Sequence, residues 1–179
     1  MVNITIDGKK LQVAENTTIL QAARANGIPI PTLCFLEGIN EVGACRVCVV
    51  EVKGMQRLVS SCNTQVREGM EILTRSEKVR TARRLNVELI LSQHNMNCPT
   101  CHRNGNCELQ KICANLDVDY TSYPIRYRQH PWDNTFPLIR DETKCIRCMR
   151  CISVCDKVQG MHVWDLINAG ARTRVGLVQ

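Results

Sequence analysis

Twelve of the 179 residues are cysteines, and they fall into three groups of four along the chain. The groups are Cys34, Cys45, Cys48 and Cys62; Cys98, Cys101, Cys107 and Cys113; and Cys145, Cys148, Cys151 and Cys155. A chain of this length can bury roughly two-thirds of its unfolded surface, so it needs neither cross-links nor metals merely to form a core. The cysteines therefore need a chemical explanation, which is either disulfide bonds or metal centres.

Two features of the sequence favour metal centres. The chain opens with alternating, polar residues and has no apolar region of the kind found in export signals. Its apolar runs at residues 47–50 and 89–91 are far shorter than the roughly 18 residues that suggest a membrane span. We therefore expect a soluble, cytoplasmic protein without a membrane span, and clustered cysteines in that reducing compartment point to metal or redox centres.

The first cysteine group lies among short strands and one helix. Alternating apolar residues on both sides of Gly8 predict a hairpin. A helix capped by Thr17 or Thr18 follows, and strand-like runs at residues 47–52 and near residues 58–59 flank the later cysteines. This order of elements resembles a plant-type [2Fe-2S] ferredoxin with a β-grasp fold.

The resemblance makes the whole first group the candidate ligand set of a [2Fe-2S] cluster: Cys34, Cys45, Cys48 and Cys62. Gly43 and Ala44 are small, which lets backbone amides approach and hydrogen-bond to the cluster sulfurs. The spacing C-x10-C-x2-C-x13-C resembles the ferredoxin domain at the front of large redox subunits more than a free plant ferredoxin. A four-cysteine zinc site is the alternative, although Cys34 and Cys62 lack the nearby partner usual in zinc sites.

The second motif is His94-x3-Cys98-x2-Cys101-x5-Cys107. Its loop is rich in turn-forming residues, so one imidazole and three thiolates can converge. The spacing resembles the [4Fe-4S] site of iron–sulfur subunits in [FeFe] hydrogenases and the respiratory NADH dehydrogenase. Zinc held by three cysteines and one histidine is the alternative on ligand chemistry alone. Cys113 follows on a short predicted helix, and we interpret it as a small buried hydrophobe outside the ligand set.

The formal charge of +6 raises the alternative of nucleic-acid binding. The basic residues of the helix predicted at 76–93 are spread around it without stacking aromatics, which favours a solvated face with Arg84 four residues before Glu88. Residues 117–143 are rich in proline and aromatics, among them Phe136. We interpret them as a connection packed over the preceding segments by its aromatic side chains, and we expect no nucleic-acid partner.

The third motif, Cys145-x2-Cys148-x2-Cys151-x3-Cys155, is the run typical of bacterial ferredoxins, with Asp156 in place of the usual proline. The first three cysteines hold one [4Fe-4S] cluster, while the fourth, Cys155, ordinarily ligates a second cluster. A second run of this type is absent from the sequence. The fourth ligand of the cluster held by Cys145, Cys148 and Cys151 is therefore expected outside the chain or at Cys155. We expect this cluster site to be less fully occupied than the other two.

The three motifs in this order resemble the N-terminal region of multi-cluster [FeFe] hydrogenases of the NAD(P)-linked or electron-bifurcating type. They resemble more loosely the large iron–sulfur subunits of NADH dehydrogenase and NAD-dependent formate dehydrogenase. The resemblance implies an α+β fold class, in which a β-grasp [2Fe-2S] ferredoxin domain precedes a small helical [4Fe-4S] domain and the start of a bacterial-type [4Fe-4S] ferredoxin domain. The expected boundaries are 1–75 for the first domain, 76–116 for the second, 117–143 for a connecting segment and 144–179 for the third.

The function implied is electron relay within an oxidoreductase. One [2Fe-2S] cluster and one or two [4Fe-4S] clusters would pass single electrons to or from a catalytic site that this chain does not contain. The implied partners are a flavoprotein NAD(H)-binding subunit, a small thioredoxin-like [2Fe-2S] subunit, or soluble ferredoxin. An NADH dehydrogenase, formate dehydrogenase or transhydrogenase-type complex is the alternative, and a zinc-binding structural or nucleic-acid module is the alternative of another class. Because loaded clusters are anionic, we interpret the basic excess as their counter-charge.

Overall fold

The computed structural model describes residues 1–127, 129–132 and 140–178, and it mixes helices and strands as predicted. The described strands are β1 (Val2–Ile6), β2 (Lys9–Val13), β3 (Val49–Val52), β4 (Val59–Ser60), β5 (Glu71–Leu73), β6 (Trp164–Ile167) and β7 (Arg174–Leu177). The described α-helices are α1 (Ile19–Ala25), α2 (Glu77–Leu91), α3 (Glu108–Leu116) and α4 (Arg150–Lys157). Short 3₁₀ helices span Glu142–Lys144 and Gly170–Arg172. None of the described helices is long and apolar enough to cross a membrane.

The chain divides into two compact units. The first unit comprises Met1–Arg83 together with the segment that begins at Arg147, and the second comprises Arg84–Ile146. The return of the C-terminal segment to the first unit brings residues of the third motif next to the first cysteine group. The four domain boundaries expected from the sequence stay a prediction.

The first unit contains a five-stranded sheet in the order β2-β1-β5-β3-β4 and a separate antiparallel pair, β6 and β7. The predicted hairpin is confirmed: β1 and β2 pair antiparallel with Ile4 opposite Leu11, and the turn residues Asp7 and Gly8 both have positive φ. Strand β5 was not predicted, although it pairs parallel with β1 and antiparallel with β3. Its three residues carry too little periodic signal, and their partners lie far away in sequence.

Helix α1 packs its apolar side on this sheet. Its N-cap is Thr18, as predicted, whose side chain accepts from the Gln21 amide while the Gln21 side chain accepts from the Thr18 amide. Leu20 on α1 and Ile6 and Ile72 on the sheet are completely buried in the same core. The cap and this core hold the loop that follows α1, which carries the first cysteine.

Helix α2 lies within the predicted range 76–93, and its basic residues Lys78, Arg80 and Arg84 are exposed as expected. Arg83 is the exception, because it is buried. Arg84 donates to the Leu116 carbonyl at 2.6 Å, and Glu88 accepts from the Ser122 hydroxyl at 2.8 Å. The expected Arg84–Glu88 pairing is therefore replaced by contacts with chain segments that follow the helix.

The aromatics of the segment after α3 differ in burial. Tyr120 is 74% exposed and does not pack over the preceding structure, whereas Tyr123 and Trp132 are partly buried. Polar contacts also attach the segment to the end of α2: the Arg126 amide donates to the Ser92 carbonyl at 2.7 Å. Phe136 lies outside the described residues.

Candidate metal centres

The structure brings the four cysteines of the first group together. Cys34, Cys48 and Cys62 are buried, and Cys45 is partly buried. The thiols form two hydrogen-bonded pairs: a bond from Cys34 lowers the pKa of Cys45 to about 5, and a bond from Cys62 lowers the pKa of Cys48 to about 7. The pKa values of Cys34 and Cys62 are raised. The larger cause is that each of these thiols donates its proton in one of the two bonds, and the next is burial.

Four sulfurs gathered as two pairs suit a cluster of two irons, each of which takes two thiolates. The Val47 amide also hydrogen-bonds to Cys45, and this bond favours the thiolate form. Amides directed at thiolates are a means by which proteins set the potential of an iron–sulfur cluster. The residues present therefore fit a [2Fe-2S] cluster.

Gly43 allows the loop before Cys45 to close. Its φ of +65° lies in the left-handed region, and a Cβ at this position would come within 2.8 Å of the Asn63 side-chain nitrogen and 3.3 Å of the Ser60 hydroxyl. The sequence identified Gly43 as a small residue that lets backbone approach the cluster. The structure adds that Asn63, one residue after Cys62, occupies the space that any side chain would need.

Arg83 places a buried positive charge beside the same group. Its side chain is 6% exposed, and its guanidinium donates to the carbonyl of Val49, next to Cys48, at 2.8 Å. Burial lowers the pKa of Arg83 to about 10, while negative charge on Cys48 acts in the opposite direction. The arginine remains charged at neutral pH. Sequence reasoning missed this residue because helical periodicity does not distinguish it from its exposed neighbours.

The residues of the second motif line one cavity of about 280 Å³. The predicted donors that line it are His94, Cys98, Cys101 and Cys107. The cavity is many times the roughly 30 Å³ that one water molecule occupies in the liquid, so it has room for a group larger than a single ion. One imidazole and three thiols around a space of this size fit a [4Fe-4S] cluster, whose four ligands bind different irons.

Cys113 and Lys144 are among the other residues that line this cavity. Cys113, interpreted from the sequence as a core residue, is only partly buried and faces the predicted ligands; burial, then negative charge on Cys107 and Cys98, raises its pKa to about 11. Lys144 donates to the carbonyls of Asn95 and Asn97 at 2.8 and 2.9 Å, and so ties down the chain just before Cys98. Lys144 is distant in sequence from the motif, and no sequence signal identified it.

The third motif is divided between the two units. Cys145 follows the Glu142–Lys144 helix in the second unit, whereas Cys148, Cys151 and Cys155 belong to the first unit. Cys151 is exposed and Cys155 is 3% exposed. The Cys155 sulfur accepts from the Val163 amide at 3.3 Å. The predicted role of Cys155 as a ligand stays a prediction.

Two family models match the regions that contain the first two motifs. Residues 1–77 match a 2Fe-2S iron–sulfur cluster binding domain. Residues 83–122 match the iron–sulfur binding region of NADH-ubiquinone oxidoreductase G. These matches support iron–sulfur clusters over zinc in both regions.

Known proteins are similar over almost the whole chain. The alpha subunit of an NADPH-Fe(3+) oxidoreductase from Geobacter sulfurreducens is 40% identical over 99% of this chain, which spans only 21% of that relative's length. The gamma subunit of the NAD-reducing hydrogenase HoxS from Cupriavidus necator is 32% identical over 97% of this chain and 74% of the relative. A crystal structure of an NAD+-reducing [NiFe]-hydrogenase in the H2-reduced state matches with a TM-score of 0.87 and 28% identity, covering 97% of this chain and 74% of the other.

Proposed function

This chain belongs to the family of iron–sulfur electron-transfer subunits that includes the gamma subunit of NAD-reducing hydrogenase HoxS, and from that premise we propose the ligands and the route that serve its electron transfer. The observation that carries the proposal is the convergence of four thiols as two hydrogen-bonded pairs in the first unit. Bound iron–sulfur clusters supply one-electron redox chemistry with little movement of their ligands.

In the proposed assignment, the β-grasp ferredoxin module of the first unit holds a [2Fe-2S] cluster. Cys34 and Cys45 bind one iron, and Cys48 and Cys62 bind the other. Loading displaces the proton held within each pair, since thiolates are the ligands. The buried guanidinium of Arg83 and the amide of Val47 then stabilise negative charge at this site.

The cavity of the second unit holds a [4Fe-4S] cluster through His94, Cys98, Cys101 and Cys107. A neutral imidazole in place of a thiolate leaves the site less negative, which favours the reduced form relative to an all-cysteine site. Lys144 adds a positive charge at the cavity wall and keeps the ligand loop in place.

Cys145, Cys148 and Cys151 are the proposed ligands of a third cluster. Its fourth ligand is Cys155 or a residue outside the chain, and Cys155 could instead serve a further [4Fe-4S] cluster, as it does in the resembling family. Occupancy here is expected to be lower than at the other two sites.

The relay is proposed to serve an NAD(P)-linked hydrogenase, in which the catalytic site lies outside this chain. The [FeFe] type was predicted from the order of the motifs, whereas the similar solved structure carries the name of a [NiFe] enzyme. The proposed partners are a flavoprotein NAD(H)-binding subunit, a small thioredoxin-like [2Fe-2S] subunit, or soluble ferredoxin. A relay within an NADH dehydrogenase is the second candidate, favoured by the match of residues 83–122 to that enzyme's iron–sulfur region.

Metal analysis of anaerobically purified protein tests the assignment. We expect a brown protein with about six irons and six acid-labile sulfides per chain from the first two sites, and up to about ten with the third. Cys48→Ser should remove the [2Fe-2S] electron paramagnetic resonance (EPR) signal and spare the second site, while Cys101→Ser should do the reverse. A colourless protein with stoichiometric zinc would contradict the proposal.

A further inference from the structure

Asn40 is a completely buried polar residue in the loop between the first two cysteines. Its side-chain nitrogen donates to the carbonyl of Cys34 at 2.7 Å and to the carbonyl of Cys148 at 2.9 Å. Its side-chain oxygen accepts from the Ser153 hydroxyl at 2.7 Å. One amide thus joins the backbone of a proposed [2Fe-2S] ligand to that of a proposed third-cluster ligand, and its bond to Cys148 spans 108 positions of sequence.

Two cations of α4 reinforce this junction. Arg150 donates from Nε to the Cys34 carbonyl at 3.2 Å and from Nη2 to the Phe35 carbonyl at 2.9 Å. Lys157 donates to the Ile39 carbonyl at 2.8 Å. The Cys34 carbonyl therefore accepts from both Asn40 and Arg150, which uses its two lone pairs. All these residues belong to the first unit.

A buried amide in this position costs free energy unless its hydrogen bonds are made, so the arrangement is sensitive to the exact group present. Both amide hydrogens are directed at carbonyls. A carboxylate of the same shape would direct negative charge at those carbonyls, and an apolar side chain would leave them without this donor.

We propose that Asn40 is a positioning residue that sets the Cys148 segment against the [2Fe-2S] loop, so that retention of the third cluster depends on a residue of the ferredoxin module. The inference rests on the proposed ligand assignment. Its physical basis is that partners behind the ligands orient them, and their loss typically weakens metal binding by about 10- to 100-fold. Asn40 touches no metal itself and acts through the two backbone segments.

The test compares Asn40→Leu with Ser61→Ala in anaerobically purified protein. Ser61 is buried and its hydroxyl donates to the carbonyl of Cys48 at 2.8 Å. Ser61→Ala therefore removes a hydrogen bond to the backbone of a first-group ligand, and this bond does not involve the third motif. The third-cluster EPR signal is identified by its absence from Cys151→Ala. The readout is the rate at which this signal disappears under an iron chelator.

We expect third-cluster loss to be about 10-fold faster in Asn40→Leu and unchanged in Ser61→Ala. Asn40→Leu should also shift the g-values of the [2Fe-2S] signal, because the Cys34 carbonyl loses a donor. An unchanged rate of third-cluster loss in Asn40→Leu would overturn the inference, as would equal acceleration in the two variants.

Ser153→Ala provides a milder variant, because it keeps Asn40 and removes only the bond to its oxygen. If Asn40→Leu fails to fold, a faster third-cluster loss in Ser153→Ala supports the inference and an unchanged rate overturns it. The measurement is made on protein that includes any ligand from outside this chain; if that protein has the first two clusters and no third-cluster signal, the assignment of Cys148 is overturned and the inference with it. A third cluster that is insensitive to both substitutions overturns the inference alone.

Discussion

Replacing Arg83 by methionine should lower the midpoint potential of the [2Fe-2S] cluster. The substitution removes a buried positive charge whose guanidinium lies 2.8 Å from the Val49 carbonyl. Reduction adds one negative charge to the cluster, so a nearby cation stabilises the reduced form more than the oxidised form. Methionine keeps an unbranched, apolar side chain of similar length in the same space.

The size of the effect follows from the geometry. The path from the guanidinium to the Cys48 side chain consists of the hydrogen bond to the Val49 carbonyl and one residue of backbone. The distance between the two groups is therefore about 8 Å. At that distance and an effective dielectric constant of about 20, two unit charges interact with about 2 kcal/mol. For a one-electron couple this corresponds to a potential lower by about 90 mV.

An EPR-monitored redox titration of the anaerobic protein measures the shift. Arg83→Lys keeps the charge and should retain most of the wild-type potential. Arg80→Met removes an exposed charge from the same helix and should change the potential little, because solvent and salt screen it. A wild-type or raised potential in Arg83→Met would refute the reasoning, and an equal drop in Arg83→Lys would assign the effect to packing rather than charge.

Three further predictions concern the second site and the stability of the first unit. His94→Cys should lower the midpoint potential of the second-site cluster, measured by redox titration, because a thiolate adds negative charge; an unchanged or raised potential would contradict this. Gly43→Ala should lower the free energy of unfolding by about 1–3 kcal/mol through its positive φ and the contact with Asn63, measured by urea denaturation. Gly54→Ala is the control, since its φ is also positive but nothing lies within 4 Å, so an equal loss in both variants would exclude a role for the contact. Hydrogen bonds from the Asn3 backbone amide and side chain lower the pKa of Glu68, so its stabilising effect is full above its unfolded pKa of about 4.3 and is lost as pH falls through the lower folded pKa. Glu68→Gln should therefore lower the urea midpoint at pH 7, and the difference from wild type should shrink as pH falls through the lowered pKa of Glu68; a difference of constant size down to the acid limit of folding would contradict the assignment.

The local chemistry of this protein could be predicted from sequence because it depends on residues close together in the chain. Glycine and proline mark turns, a threonine before an apolar run predicts a capped helix, and alternation around Gly8 predicts a hairpin. Cysteine spacing likewise limits which metal centres a loop can form. These signals located α1, the β1–β2 hairpin and the candidate ligands of the first two sites.

Other features depend on which distant segments meet, and only the tertiary structure decided them. Strand β5 joins β1 across more than sixty residues. Arg83 is one of several arginines on the same helix and looks no different from its exposed neighbours in sequence. In the folded protein its side chain donates to the Val49 carbonyl and lies near Cys48. Asn40 is an ordinary loop residue in sequence and becomes the bridge between Cys34 and Cys148 only when the chain returns to the first unit. The sequence by itself determined the donors and their local order, because short-range sterics and ligand spacing act along the chain. The charges and hydrogen bonds around those donors were set by long-range packing, which no local pattern encodes.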